Sequence, residues 1–292
     1  MRALVVFAHY FKAEANAEYS STNERRRGAR RESIARTLLA WRAHFTETAS
    51  LNVEHRKLEL NAPAIEEVDL AVVVNGDDHL LDDALLTRLN VQKFTFALEQ
   101  PRLLPFMAHR IMSDLKSRYD WFVYSEEDLL IHDADLFAKL TAFQHNFGPR
   151  RVLQPNRYEI NAAALRPKTY IDGDLRFALM SRLLAMVDET EPSLVQRESG
   201  GGPRFDRAQN PHSGFFALSA EQFHFWTQQK HFADMDCSFI SPLESAATLG
   251  LLKTFSVYKP SRPMHYLEIE HLDTKFSNLQ LPLLLRGESS PA

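Results

Sequence analysis

Three short, unbroken apolar runs constrain this chain more than any other feature. Residues 3–8, 70–74 and 121–124 carry no charge and are rich in Val, Leu, Ala or aromatic side chains. Continuous apolar strands, as opposed to alternating ones, are covered on both faces, the condition of a central parallel sheet. Between the first two runs, Ile34, Leu38, Trp41 and Phe45 recur at spacings of four, three and four, giving one apolar helical stripe. Residues 102–118 read as a second helix, just before the third run. Alternating strands and helices imply parallel pairing with right-handed crossovers. With 292 residues, 45% of them apolar, the chain can bury a full core. The expected fold class is α/β: a mostly parallel central sheet flanked by helices, with a smaller mixed C-terminal sheet. A single domain over residues 1–286, in halves 1–128 and 129–286, is expected to end in a flexible tail, 287–292.

The second half is less regular. Residues 188–213 hold three prolines and Gly200-Gly201-Gly202, which predicts a mobile loop. Residues 215–218 read as a strand, and Ser219 with Gln222 forms a capping box opening a helix. Residues 241–252 predict another helix, and 255–258 and 266–271 late strands.

The third apolar run ends directly in Glu126-Glu127-Asp128. In an extended chain Glu126 and Asp128 point to the same side. Paired carboxylates repel unless a cation lies between them. From Glu126 to Asp135 there are five acidic residues and no Lys or Arg. Parallel sheets bind ligands beyond the carboxyl ends of their strands, so this is where Mg²⁺ or Mn²⁺ would hold phosphate oxygens. The bland reading, a solvated acidic turn, has comparable weight on this motif alone.

In order along the chain come the short first strand, a helix with His109-Arg110, the Glu-x-Asp motif, His212-Ser213-Gly214-Phe215, Ser241-Pro242-Leu243-Glu244 and a late histidine. In this order the chain resembles the glycosyltransferases of the GT-A fold over nearly its whole length. The resemblance implies a metal-dependent, hexosyltransferase-like enzyme moving a sugar from a nucleotide diphosphate sugar to a hydroxyl, on a glycan or another acceptor. Residues 1–128 would bind the donor and 129–286 the acceptor. Glu126, Asp128 and a late histidine, His271 in preference to His265, would hold the metal. Glu244 would be the general base of an inverting reaction. His9, Tyr10, Asn75, Asp77, His109, Arg110 and Glu127 would contact the donor, and His212, Ser213 and Gly214 the acceptor. The loop 188–213 would close over the donor and exclude water.

Composition narrows the alternatives. A net charge of −4 gives no reason to expect a nucleic-acid partner. One cysteine, Cys237, excludes an internal disulfide and a zinc–thiolate cluster. No apolar run is long enough to span a membrane. Cytoplasmic residence is then the default expectation, with peripheral membrane association left open. No Gly-rich phosphate loop and no nucleophile elbow occur. The alternative readings are a sugar-phosphate nucleotidyltransferase and a non-catalytic carbohydrate- or nucleotide-binding protein. The first usually carries a Gly-rich, basic signature after its first strand, and Ala8-His9-Tyr10-Phe11 is not one.

Overall fold

The structure, a computed structural model, describes residues 1–15, 19–63, 65–197 and 201–288. The chain runs β1 (Arg2–Ala8), α1 (Arg27–Phe45), β2 (Thr48–Asn52), β3 (Lys57–Asn61), β4 (Glu67–Asn75), α2 (Asp83–Arg88), β5 (Val91–Phe96), α3 (Leu104–Asp114) and β6 (Trp121–Glu126). It continues through β7 (Leu129–Leu130), α4 (Leu136–Phe147), β8 (Arg151–Leu153), β9 (Asn156–Ile160), β10 (Lys168–Tyr170), α5 (Phe177–Leu184), β11 (Ser193–Val195) and β12 (Arg204–Arg207). The last elements are β13 (Phe215–Ser219), α6 (Ala220–Thr227), α7 (Pro242–Leu252), β14 (Ser256–Arg262), β15 (Glu268–His271) and α8 (Gln280–Glu288).

The three apolar runs become β1, β4 and β6, neighbours in a five-stranded sheet of order β13-β6-β1-β4-β5. All pairings in it are parallel except β13 against β6. Alternation splits each strand between two cores: Ala3, Val5 and Phe7 face one, Leu4 and Val6 the other. The stripe Ile34, Leu38, Trp41 and Phe45 of α1 is buried in the first, whereas Leu104, Met107, Ala108 and Ile111 of α3 enter the second, beside Ala246 and Leu249 of α7. Burying such a side chain stabilises by about 1.5–3 kcal/mol, so these faces fix both helices to the sheet.

Two further four-stranded sheets, β10-β9-β15-β7 and β11-β12-β14-β8, are mixed, as β15 runs parallel to β9 but antiparallel to β7. Ser219 caps α6 through the predicted reciprocal bonds with Gln222. The helix expected over 102–118 is shorter, because Pro101–Leu103 form a 3-10 turn ahead of α3.

The expected mobile loop over 188–213 is corrected. Described residues within it form β11 and β12, with Leu194 and Phe205 buried. These apolar residues are anchored against β14, so Pro and Gly content alone misreads the segment. Residues 198–200, between the strands, lie outside the described residues. Of the expected tail, Gly287 and Glu288 end α8, and 289–292 lie outside the described residues.

Candidate active site

The site lies at the carboxyl ends of β1 and β6. Ala8 is the register partner of Glu126, and the Glu126 backbone N–H donates to the Gly214 carbonyl at 2.8 Å. The chain then turns sharply into β7, and this turn separates the three acidic residues.

Glu127 faces the junction of β1 and α1, where it is ion-paired with Arg30 and bonded to His9. The Leu80 N–H donates to His9 Nε2 at 2.9 Å, so the Nδ1–H is left to donate to Glu127. His9 and Glu127 are buried in this network.

Glu126 is also buried, and its Oε1 has no hydrogen-bond partner. His212 Nε2 stands 3.9 Å from that oxygen. Burial first, and then repulsion from Asp128 and Glu244, raise the Glu126 pKa to about 8, against the pull of Arg157 and His271. Gly214, at φ +58°, lies under the carboxylate so closely that a Cβ there would sit 2.5 Å from Oε2.

His271 ends β15 directly opposite Leu129, a register that delivers it to Asp128. Its Nε2 lies 3.7 Å from Asp128 Oδ2, and its Nδ1 3.0 Å from Glu159 Oε1. A carboxylate only accepts, so Nδ1 carries a proton. Burial opposes charging of this imidazole, yet the Glu159 bond and Asp128 raise its pKa. His265 is exposed in the 3-10 turn Met264–Tyr266.

The chemistry of these groups suits a hard divalent cation. An unpartnered buried carboxylate oxygen and a second carboxylate are the oxygen donors such an ion takes, and an imidazole nitrogen oriented by Glu159 stands beside them. As they stand, no group of three or more His, Cys, Asp or Glu among the described residues is spaced to hold a metal.

Glu244 stands in the first turn of α7, where Ser241 Oγ donates to it, and its charge reaches both Glu126 and Tyr124. The Tyr124 hydroxyl is buried without a partner, and burial followed by the charges of Glu126, Glu127, Asp128 and Glu244 pushes its pKa well up. Tyr124 belongs to the apolar run of β6, which hides it from a search for polar motifs.

The remaining expected residues divide. Gly214 and His212 adjoin Glu126, whereas Ser213 Oγ donates to the Pro155 carbonyl at 2.9 Å and serves the scaffold. Asn75 Oδ1 accepts from the Leu98 N–H at 2.7 Å, fixing the turn after β4. Asp77 is exposed and Tyr10 half-buried beyond the ends of β4 and β1. His109 is not brought to the acid pair. It is buried among Phe106, Tyr124, Phe216 and Trp226, with Nε2 3.0 Å from the Ala246 carbonyl, and burial lowers its pKa to about 4. Arg110 is exposed on α3.

Sequence reasoning did not find Arg157, Asp172, Lys259 or Glu159. Arg157 and Asp172 come together only because β9 and β10 form a hairpin, and Lys259 joins them from β14. Beside His271, a cleft of about 320 Å³ is lined by Arg26, Arg36, Glu270, Asp273 and Thr274, among others.

No family model matches the chain, and no curated protein matches it. Among solved structures, the chain is similar to CMP:2-keto-3-deoxy-manno-octonic acid synthetase complexed with CTP. The identity is 9% and the TM-score 0.39, over 99% of this chain and 100% of that one. The glycosyltransferase expectation is corrected to this extent: the solved structure found is a synthetase complexed with CTP, not a glycosyltransferase.

Proposed function

We propose that this chain transfers a nucleotidyl group from a nucleoside triphosphate to an oxygen of a sugar or sugar phosphate. The acceptor oxygen forms a bond to the α-phosphorus, the bond to the leaving pyrophosphate breaks, and a hydroxyl acceptor gives up its proton. The observation that carries the reading is the placement of Glu126 and Asp128 at the end of β6, beside the arginine-rich start of α1. Arg30 reaches Glu127, and Arg26 reaches Asp273 just beyond His271. A 3-10 turn, Glu24–Arg26, runs into α1 and accepts the Arg27 N–H at the Glu24 carbonyl, so the attraction for phosphate oxygens comes from the arginine side chains of this stretch. The basic signature missing directly after β1 is thus supplied from residues 25–31, farther along the chain.

In this reading the start of α1 holds the triphosphate, and Tyr10 and Asp77 meet the nucleoside beyond β1 and β4. Glu244 takes the proton of a hydroxyl acceptor. A divalent cation held by Glu126, Asp128 and His271 would neutralise charge on the phosphate oxygens.

The test incubates the protein with each nucleoside triphosphate, Mg²⁺ or Mn²⁺, and a panel of sugars and sugar phosphates. Pyrophosphate release and nucleotide-sugar formation are then measured. Release is expected with at least one pair and is lost in Asp128→Ala. Tight nucleotide binding with no pyrophosphate from any pair would favour a non-catalytic binding protein.

A further inference from the structure

Next to the acid pair lies a buried cluster of charged side chains that the transfer reaction leaves unused. Arg157 in β9 is 8% exposed and Lys259 in β14 is 7% exposed. Arg157 Nε and Nη2 both donate to Asp172 Oδ1, at 3.0 and 2.8 Å. Lys259 Nζ donates to Asp172 Oδ2 and to the His212 carbonyl, each at 2.7 Å. Two buried cations therefore share one buried carboxylate. A guanidinium clamped along one edge cannot swing away, and its other edge keeps a fixed direction. That edge is free, because Nη1 of Arg157 has no hydrogen-bond partner among the described residues. Beyond Asp172, the negative charges that reach Arg157 are those of Glu126 and Asp128, which act through space and make no hydrogen bond to that edge.

Position says which molecule brings the anion. The His212 carbonyl that anchors Lys259 lies in the segment entering β13, which flanks β6 on the side away from β1, β4 and β5. Tyr10 and Asp77, at the ends of β1 and β4, lie on the opposite, nucleoside side.

We propose that the free edge of Arg157, backed by Lys259 and Asp172, is a subsite for the phosphate or carboxylate of an anionic sugar. The role of that sugar as acceptor rests on the nucleotidyl-transfer reading; the anion contact itself does not.

The test is calorimetric titration without nucleotide, using inorganic phosphate, glucose 1-phosphate, glucuronate and glucose on wild type, Arg157→Gln and Arg157→Lys. Wild type is expected to bind at least one anion, and glucose at least about tenfold more weakly. Arg157→Gln, with native circular dichroism, should weaken the anion by about 10- to 100-fold, the range for a hydrogen bond to a charged group. Arg157→Lys should fall between, because an ammonium keeps the charge and loses the fork. Preference between phosphate and glucuronate identifies which anion the subsite takes. The proposal is overturned if glucose binds as well as the anions, if no anion binds, or if folded Arg157→Gln binds them unchanged. Should Arg157→Gln fail to fold, Arg157→Lys and the wild-type preference decide. Anion binding without any triphosphate binding would support this subsite while removing the nucleotidyl reading.

Discussion

His271 donates its Nδ1–H to Glu159 at 3.0 Å and so turns Nε2 toward Asp128, 3.7 Å away. Glu159 is itself fixed, accepting from the Ser277 N–H at 2.7 Å and the Phe276 N–H at 3.4 Å. A proton or a divalent cation can occupy the space between Nε2 and the Asp128 carboxylate, and each excludes the other. Orientation of a ligating imidazole by such a carboxylate typically accounts for 10- to 100-fold in metal affinity.

Glu159→Gln keeps the shape of the side chain and removes the charge that orders the ring. Mn²⁺ affinity, measured by titration, should fall by roughly 10- to 100-fold, with the melting temperature only modestly lowered. Unchanged affinity would mean that His271 is not a ligand.

The Glu126 carboxyl gives a prediction in pH. Its folded pKa, about 8, lies above the ordinary carboxylate value of 4.5, so the fold favours the protonated form. That contribution is complete below the unfolded pKa and is lost as pH rises through about 8. Metal-free wild type should therefore lose thermal stability from pH 5 to pH 8 relative to Glu126→Gln. Because a cation must displace the Glu126 proton, its apparent affinity should rise by up to about tenfold per pH unit below the pKa. Thermal shifts with Mn²⁺ at pH 6 and pH 8 measure this, and equal shifts would remove Glu126 from the cation site.

Much of the frame was legible in the sequence, for physical reasons that also mark where legibility stops. Residues 3–8, 70–74 and 121–124 had to be central strands, because only a covered parallel sheet takes unbroken apolar runs. Glu126 and Asp128 stood out because carboxylates directly follow such a run. His271 was found because it ends a strand of alternating character. Arg157 and Glu159 were not found, since Asn156-Arg157-Tyr158-Glu159 reads as a polar surface strand. Their burial depends on partners from other elements, Asp172 for one and His271 with Ser277 for the other. Glu127, expected among the donor contacts, is neutralised by His9 and Arg30, which β1 and α1 bring to it from far away in the sequence. Leu194 and Phe205 lie in strands of three and four residues, too short for periodicity to show.

The Arg157–Asp172–Lys259 cluster sets an acid limit. Burial acts to raise the Asp172 pKa, but Lys259 and Arg157 together hold it down to about 2, below the ordinary value of 3.8. A depressed carboxylate stabilises the fold above its unfolded pKa, and this contribution, about 2 kcal/mol, disappears as pH falls from about 4 to about 2. Asp172→Asn leaves both cations without their carboxylate and should cost about 3–5 kcal/mol at neutral pH. Urea unfolding at pH 7, 4 and 2.5 should show the mutant's deficit shrinking toward low pH. A deficit constant with pH would mean that Asp172 does not act through its charge.

Gly214 connects backbone conformation to the acid pair, and its replacement tests the site with one methyl group. At φ +58° an alanine is strained by about 1 kcal/mol. Its Cβ would also stand 2.5 Å from Glu126 Oε2 and 2.6 Å from Cδ, so the carboxylate must move. Glu126 has little room to yield, with Tyr124 and His212 packed around it and its own N–H held by the Gly214 carbonyl. Gly214→Ala should therefore remain folded with a lowered melting temperature and lose most of the Mn²⁺-dependent thermal shift. A mutant that retains the full Mn²⁺ shift would show that the Glu126 carboxylate has no part in holding the ion.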